Sequence, residues 1–511
     1  MDTNYLASIS GAVSLVTPEA VVIVAACVYF ALAPFIRSDY LWSRLSMVLL
    51  LLSVFLLTPA PENYAGNGLF RADNMTLYFR WIGFLSGFGL VMLSMGRVSD
   101  RYAAEYYGSL LIAIAGTNLV AASNDLISLF LSLELISIPT YLLLYLLKGT
   151  TKSREATTKY FLLSIFSSAL LLYGMSFFFG ATGTTNLESM RATLKTVSPN
   201  QYPEILTLGL IFVMAGLGFR LTAAPFHFYA PDVYEGAPVL PVTLLSIIPK
   251  IAGVAGVYQL IHATLLVSNG IGDSSIAEQT RDLMWIMALV SMVLGNVLGL
   301  LQNNLRRLMA YSGIAHAGYM LFGLGASAAV PGTLSNDGMS GMTAVFFYLA
   351  VYTIMTLGVF AVLRYLENSH HPVESIDDLA GLGQTNPVLA FFMAVFLFSL
   401  TGLPPTAGFW GKLYLFLAGW NTEVHHYRVL AIVMAITAAM GAWYYLRVIG
   451  VIYLRQSVKP LHPAMQPAAF ITIAACGLLT LISFAVPNWF MNPAADATKG
   501  AVVKKAIGLP P

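Results

Sequence analysis

The chain has 511 residues, of which 58% are hydrophobic and only 10% are charged, and its net charge at neutral pH is +2. An ordinary soluble domain has about a quarter charged residues, and a mean hydropathy of +0.75 is too high for an apolar core inside a polar shell. These values exclude a water-soluble globular protein, give no sign of a nucleic acid partner, and indicate a membrane protein.

The N-terminal segment carries Asp2 and Glu19 but no Lys or Arg before the first apolar run. It lacks the basic segment of a cleaved signal, so we expect a retained helix there. The two cysteines, Cys27 and Cys476, each lie inside an apolar run and are expected to be small core residues. Two thiols provide neither a disulfide framework nor the four ligands of an iron–sulfur cluster.

Fourteen apolar segments are long enough to cross a bilayer, which takes roughly 20 helical residues. In chain order these spans are 18–36, 41–59, 75–96, 106–122, 125–147, 157–181, 205–236, 239–265, 282–303, 307–327, 341–364, 388–420, 428–455 and 467–490. Turn-rich sequences such as GTTNLES (183–189) separate them. The pattern predicts an all-α polytopic membrane protein with about 14 transmembrane helices.

The seventh and twelfth spans each exceed thirty residues and contain proline, Pro225 in one and Pro404 and Pro405 in the other. Proline removes a backbone donor and clashes with the preceding turn, so both helices should break inside the membrane. Matched broken helices in two inverted groups are typical of transporters with a site at the midplane. We therefore predict two inverted five-helix repeats, each with one broken helix.

The predicted domains follow from this grouping: helices 1–3 at 1–104, the first repeat (helices 4–8) at 105–265, the second repeat (helices 9–13) at 281–455, helix 14 at 466–490, and a polar tail at 491–511. With the N-terminus outside, and with residues near span ends counted with the adjoining loop, fourteen of the 26 basic residues lie inside and nine lie outside, while Arg220, Lys250 and Lys412 lie well within spans. Basic residues accumulate in inside loops. Both termini are therefore predicted to face outside.

A few ionisable side chains fall inside the spans, where a charge costs about 2.5–3.5 kcal/mol on insertion scales. The candidates for a proton relay are Glu134 in the fifth span, Lys250 in the eighth, His316 in the tenth and Lys412 in the twelfth. Protein interiors can tune glutamate, lysine and histidine to exchange protons near neutral pH. The pattern indicates proton movement through buried side chains.

Three polar residues accompany these candidates. Ser312 lies one helical turn before His316. His227 follows the Pro225 break and is expected either to join the relay or to bond carbonyls that the break frees. Arg220 precedes the same break, and because a guanidinium stays charged, we expect it to act electrostatically on Glu134 rather than to carry protons.

Each assignment has a structural alternative. Glu134 and Arg220 would form a static ion pair, Lys250 would pack one helix on its neighbour, and His316 would be a hydrogen-bonded core histidine. The recurrence of charge in both predicted repeats favours the relay, since a scaffold gains nothing from the insertion cost. The sequence shows no pattern of metal ligands, haem ligands or a dinucleotide-binding loop, so redox chemistry has no visible site.

Four stretches carry a family resemblance: EATTKYFLLSIFSSALLLYG (155–174), PFHFYAPDVYEGAP (225–238), NNLRRLMAYSGIAHAGY (303–319) and LPPTAGFWGK (403–412). Through them the chain resembles the antiporter-like membrane subunits of the proton-pumping NADH:quinone oxidoreductase, complex I. The 225–238 stretch is the most specific and is similar to that of the N-type subunits. The resemblance covers roughly residues 18 to 490.

The resemblance implies fourteen helices in two inverted repeats with a half-channel in each. By position, Glu134, Lys250, His316 and Lys412 take the places of family relay residues. Arg220 departs from the family, which usually has lysine on the seventh helix. This departure leaves the role of residue 220 to be worked out in this chain.

The resemblance also implies a proton-translocating subunit of an oxidoreductase that itself holds no metal or cofactor. Flavin, iron–sulfur clusters and quinone would belong to other membrane and peripheral subunits. The bacterial plasma membrane is the expected location, with the lipid bilayer and these subunits as partners. The alternative is a component of a stand-alone cation/proton antiporter or of a membrane-bound hydrogenase, which the 225–238 stretch disfavours.

Overall fold

The protein is almost entirely helical over the residues that the computed structural model describes, which are 15–57, 68–147, 150–196, 203–264, 275–328, 340–367, 373–422, 424–456 and 466–506. The N-terminal helices are α1 (Thr17–Leu32), α2 (Asp39–Phe55) and α3 (Asn74–Ser94). The helices of the first predicted repeat are α4 (Ala103–Ala122), α5 (Leu126–Leu146), α6 (Thr151–Thr182), α7 (Leu187–Thr196), α8 (Pro203–Leu221), α9 (Tyr229–Gly236) and α10 (Val239–Thr264).

The second predicted repeat has a similar series of helices. They are α11 (Ser275–Leu300), α12 (Leu305–Ala328), α13 (Gly341–Leu366), the short α14 (Leu382–Thr385), α15 (Pro387–Thr401), α16 (Ala407–Trp420) and α17 (His425–Leu454), with a 3₁₀ turn at Ile376–Leu379. Two helices follow, α18 (Pro467–Ala485) and α19 (Asn488–Ala506). Side-chain caps fix several helix starts; for example, the Asp73 carboxylate accepts the Thr76 amide at 2.8 Å.

Both predicted helix breaks are present. The seventh span is divided into α8 and α9, with Pro225 between them, and the twelfth into α15 and α16, with Pro404 and Pro405 between them. The Ala224–Pro225 and Pro404–Pro405 peptides are cis. Thr222 (φ 60°) and Gly402 (φ 87°) take left-handed conformations directly after α8 and α15, and the chain turns there. Each break therefore ends one half-helix and starts another: the end of α8 is buried, whereas Leu403, Pro404 and Pro405 after α15 are exposed.

Burial divides the helices into a centre and a periphery. In α10 and α13, 100% and 94% of the residues in the 18-residue apolar stretch are buried, whereas in α6, α17 and α18 the share is 39%. The peripheral helices expose large apolar side chains, among them Phe166 and Trp443. An apolar outer surface suits a lipid environment, which needs no polar shell. The two central helices thus pack in the middle of the bundle, where a buried site would lie.

Nine of the helices within the described residues are long and apolar enough to cross a membrane, and α1 and α15 are shorter apolar helices. This composition confirms the all-α, polytopic membrane fold. The total of fourteen crossings, their inversion between repeats and the domain limits stay predictions.

Three features differ from the sequence expectations. Residues 187–196 form α7 within a predicted loop, because Leu187, Met190 and Leu194 place one apolar stripe against the bundle. The predicted polar tail contains α19, which buries small alanine side chains. Cys27 is exposed on α1, so its expected place in the core is wrong, whereas Cys476 is buried. An apolar residue of a membrane helix can face lipid as readily as protein, and composition does not separate the two.

The predicted orientation can be tested on two exposed residues, Lys152 at the start of α6 and Ser189 on α7. In a chain with Cys27→Ala, we expect Lys152→Cys to react with an impermeant maleimide only from inside and Ser189→Cys only from outside. The reason is that loops rich in Lys and Arg stay on the inside of the membrane, and the loop before α6 is such a loop. Labelling with the two sides exchanged would overturn the orientation.

Candidate proton-relay site

Arg220 and Glu134 meet at the first helix break. Arg220 is 1% exposed in the last turn of α8, and its Nη2 donates to Glu134 Oε1 on α5 at 3.1 Å. Ser168 on α6 accepts from the same nitrogen at 3.2 Å and donates to Glu134 Oε1 at 2.5 Å. We call Glu134, Ser168 and Arg220 the Arg220 cluster. Its three members come from three helices and are bonded to each other, so a change of charge at one residue affects the other two.

The position of Arg220 suits a permanent cation. The C-terminal end of a helix carries partial negative charge, and Arg220 lies in the last turn of α8. Freed carbonyls nearby are bonded within the chain: the Tyr229 hydroxyl donates to Phe219 O at 3.1 Å, and the Ala223 amide donates to Gly218 O at 2.8 Å. The break is therefore held without help from Arg220, whose charge is directed at Glu134.

His227 lies apart from this cluster. It is buried in the turn after Pro225, and its ring packs against Phe228 with 4.7 Å between ring centroids. Its Nδ1 makes no hydrogen bond to any residue that the structure describes. The structure joins His227 neither to Arg220 nor to Lys250, and its ring interacts with the Pro225 carbonyl at the break.

Lys250 lies on the central helix α10 and is fully buried. Its Nζ donates to the Gly313 carbonyl of α12 at 2.7 Å and to the Tyr352 hydroxyl of α13 at 2.8 Å, and lies 4.7 Å from the Tyr352 ring centroid. A Cβ on Gly313 would lie 2.5 Å from this nitrogen, so glycine is needed for the approach. Within the described residues no carboxylate pairs with Lys250. An ammonium that has only neutral acceptors is suited to exchange its proton.

His316 on α12 is bonded on both sides of its ring. Nδ1 bonds the Tyr348 hydroxyl of α13, and Nε2 lies 3.2 Å from the Tyr445 hydroxyl of α17. The Ser312 hydroxyl bonds Tyr445 as well. The His316 and Tyr352 ring centroids are 5.2 Å apart, so Tyr352 contacts both Lys250 and His316. Hydroxyls both donate and accept, so the His316 ring can exchange a proton with Tyr348 or Tyr445 in either direction, whereas it meets Tyr352 through a ring contact alone.

Lys412 lies near the second break, on α16. Its Nζ donates to Thr401 O, the end of α15, at 2.9 Å, and lies 5.2 Å from the Tyr319 ring centroid. The Tyr319 and His316 ring centroids are 5.5 Å apart. A Cβ on Gly402 would lie 2.8 Å from Lys412 Cδ, so this lysine, like Lys250, is placed against a glycine. We call the series Lys250, Tyr352, His316, Tyr319 and Lys412 the central row.

The structure thus brings the sequence candidates into two sets. The Arg220 cluster holds Glu134 and Arg220, and the central row holds Lys250, His316 and Lys412, with Ser312 beside it. No hydrogen bond between described residues joins the two sets. The sequence reading missed Ser168 and the tyrosines. A spacing of four between Tyr348 and Tyr352, on one face of α13, is the signal that could have found two of them.

Metal or cofactor ligands are not grouped in the described part of the chain. No three His, Cys, Asp or Glu side chains there lie close enough to hold a metal ion. Lys250 and His316 instead bond to tyrosine hydroxyls and a backbone carbonyl, which suits the transfer of protons.

Comparison with known proteins gives the family. The model of the NADH:quinone oxidoreductase/Mrp antiporter transmembrane family matches residues 123–441. The chain belongs to this family. The matched segment contains all four relay candidates and Arg220, and both broken helices of this chain lie inside it.

Relatives of nearly full length are N-type subunits. NADH-quinone oxidoreductase subunit N 2 of Rhizobium meliloti (strain 1021) is 34% identical over 489 residues, which is 94% of this chain and 97% of the relative. NADH-quinone oxidoreductase subunit N of Trichlorobacter lovleyi is 38% identical over 437 residues, 84% of each protein. A chain of respiratory complex I from Thermus thermophilus with bound aureothin has a TM-score of 0.75 and 28% identity, over 94% of this chain and 99% of that chain. The resemblance to N-type subunits is confirmed.

The electrostatic role of Arg220 predicts different results for two substitutions. Arg220→Lys should keep much of the proton pumping because the positive charge is retained. Arg220→Met should lose most of it and leave Glu134 protonated, because it removes the positive charge that favours the ionised form of this partly buried carboxylate. Pumping is measured in vesicles reconstituted with the complex, and Glu134 protonation by infrared difference spectroscopy.

The matched control is Arg101→Met, since Arg101 is exposed and lies outside both sets of relay candidates. Parental pumping in Arg220→Met, with an unchanged Glu134 carboxylate band, would show that Arg220 has no electrostatic role.

Proposed function

We propose that this chain is the N-type, proton-translocating membrane subunit of an NADH:quinone oxidoreductase. The observation that carries the proposal is the central row, in which the buried Lys250, the buried His316 and the partly buried Lys412 lie in contact with the rings of Tyr352 and Tyr319. Quinone reduction takes place in other subunits and drives proton movement here. The chain acts as part of a translocating enzyme and contributes no redox centre.

The proposed relay has two stages. Glu134 takes up a proton when its pairing with Arg220 weakens, and Arg220 stays charged throughout. The proton reaches Lys250 through water, since no side chain joins the two sets directly. From Lys250 it passes along the central row to Lys412 through water as well, since Tyr352, His316, Tyr319 and Lys412 meet through ring contacts and not through hydrogen bonds. Each broken helix places one end of this path at mid-membrane, where freed helix ends interact with charge.

The same proposal assigns the cofactors, the partner subunits and the membrane location. Flavin, iron–sulfur clusters and quinone are held by partner subunits of the complex, both membrane and peripheral. The chain lies in the bacterial plasma membrane with both termini outside. Its two five-helix repeats are inverted relative to each other, and each contributes one broken helix and one half-channel.

A component of a stand-alone cation/proton antiporter is the second candidate, because the family model covers Mrp antiporters as well. The near-full-length relatives named as subunit N favour the oxidoreductase. The two candidates differ in the subunits that copurify with the chain. An oxidoreductase contains an arm with flavin and iron–sulfur clusters, whereas an antiporter assembly contains no such arm.

The relay predicts that Glu134→Ala, Lys250→Ala and Lys412→Ala each lose most quinone-linked pumping while the complex still assembles. Each substitution removes a station that holds the proton. The variants are purified in mild detergent, the flavin and iron–sulfur content is measured as a check on assembly, and pumping is followed in vesicles. The controls are Lys152→Ala and Glu188→Ala, which remove exposed charges of the same types.

If all three relay variants assemble and pump at the parental rate, the charges are structural pairs and the relay is wrong. If the intact parental complex contains no flavin or iron–sulfur arm, the antiporter assignment replaces the oxidoreductase.

A further inference from the structure

The most specific sequence stretch, 225–238, contains two acidic residues that the proton path does not use. Asp232 on α9 bridges two other helices: Oδ2 lies 2.8 Å from Lys159 Nζ on α6, and Oδ1 lies 3.0 Å from Arg307 Nη1 on α12. Glu235, one turn later, adds a second bond to the same Arg307 nitrogen at 2.9 Å. One short half-helix is thus tied by charge to two helices at once.

The packing of α9 agrees with this bridging role. It packs mainly against α6 and α12 and touches α10 only slightly. A Cβ on Gly236 would lie 2.8 Å from the Lys152 carbonyl, so the end of α9 approaches the α6 backbone closely. On the other side, Arg306 of α12 donates to the Ala237 carbonyl at 2.9 Å. Any displacement of α9 must therefore move against both neighbours.

The two neighbours each carry part of the relay. On α6, Ser168 of the Arg220 cluster follows Lys159 by nine residues, about 13.5 Å along the helix. On α12, Gly313 and His316 of the central row follow Arg307 by six and nine residues. The break connects α9 itself to α8, which ends beside Arg220. The half-helix is thus in physical contact with the supports of both sets, although no hydrogen bond joins the sets themselves.

We propose that Asp232 and Arg307 form a positioning pair that couples the Arg220 cluster to the central row. The pair holds α9 between α6 and α12, so that movement at the first break shifts the helix that carries His316 and the Gly313 carbonyl. This inference rests on the proposed relay and adds a pair that transmits movement without carrying a proton.

The exposure of the pair makes a purely stabilising role a poor explanation. The side chains of Asp232 and Arg307 are 40% and 29% exposed. Ion pairs at this exposure contribute little to stability because solvent screens them. Removing one is expected to leave the complex assembled, whereas a small shift between relay groups changes proton transfer strongly.

The test compares Asp232→Asn with two matched variants in the whole complex. Asp232→Glu keeps the charge, and Glu155→Gln removes a carboxylate that binds the same Lys159 nitrogen at 2.8 Å but from within α6. The readouts are the amount of assembled complex, the electron transfer rate and the protons pumped per electron. We expect Asp232→Asn to lower protons per electron several-fold at parental assembly, Asp232→Glu to restore most of it, and Glu155→Gln to match the parent.

Three results would overturn the inference: a parental proton-to-electron ratio in Asp232→Asn, a reduced amount of complex whose ratio is parental, or an equal loss in Glu155→Gln. Lys250→Ala in the same series separates the two proposals. If Lys250→Ala pumps normally, the relay itself fails. If Lys250→Ala is impaired and Asp232→Asn is not, only the positioning pair fails.

Discussion

An ammonium at the centre of an apolar helix bundle must find acceptors inside the protein, and the contacts of Lys250 show how this chain meets that need. A backbone carbonyl and a tyrosine hydroxyl take its hydrogen bonds, and the Tyr352 ring lies close to its charge. The carbonyl is reachable only because residue 313 is glycine. Neutral acceptors satisfy the charge without fixing it, since a paired carboxylate would hold the proton more firmly. On the proposed relay, the mobility of the proton follows from the lack of a carboxylate partner for Lys250 among the residues that the structure describes.

The rest of the bundle can be understood from this requirement. The two helix breaks supply polar backbone next to the charged side chains, and Lys412 bonds to the end of one half-helix, Thr401 O. The first break places a permanent cation beside Glu134 instead. One end of the path therefore has a charge that never leaves, and the other has lysines whose partners are neutral or backbone groups. On the proposed relay, this asymmetry would give the two predicted repeats different tasks.

Proline chemistry and the cost of buried charge made the breaks and the charged candidates predictable, because both effects are local to the residue concerned. Pro225, Pro404 and Pro405 lie in spans too long for one crossing, which marked them as breaks, whereas Pro139 and Pro249 lie inside continuous helices. Glu134 within an apolar run is conspicuous. Tyr352 and Tyr348 were not predictable in the same way, since a tyrosine in an apolar helix usually packs. Ser168 likewise resembles many helix serines. The partners of Asp232 depend on which helices become neighbours, and a single sequence does not give that.

The central claim is that Lys250 changes its protonation while the complex works. Isotope-edited infrared difference spectra, with ¹⁵N-labelled lysine, compare the resting complex with the complex turning over NADH. The account predicts lysine N–H bands that appear on turnover and are missing in a Lys250→Arg complex, because arginine keeps its proton. A parental spectrum without any such bands, recorded while protons are pumped, would contradict it.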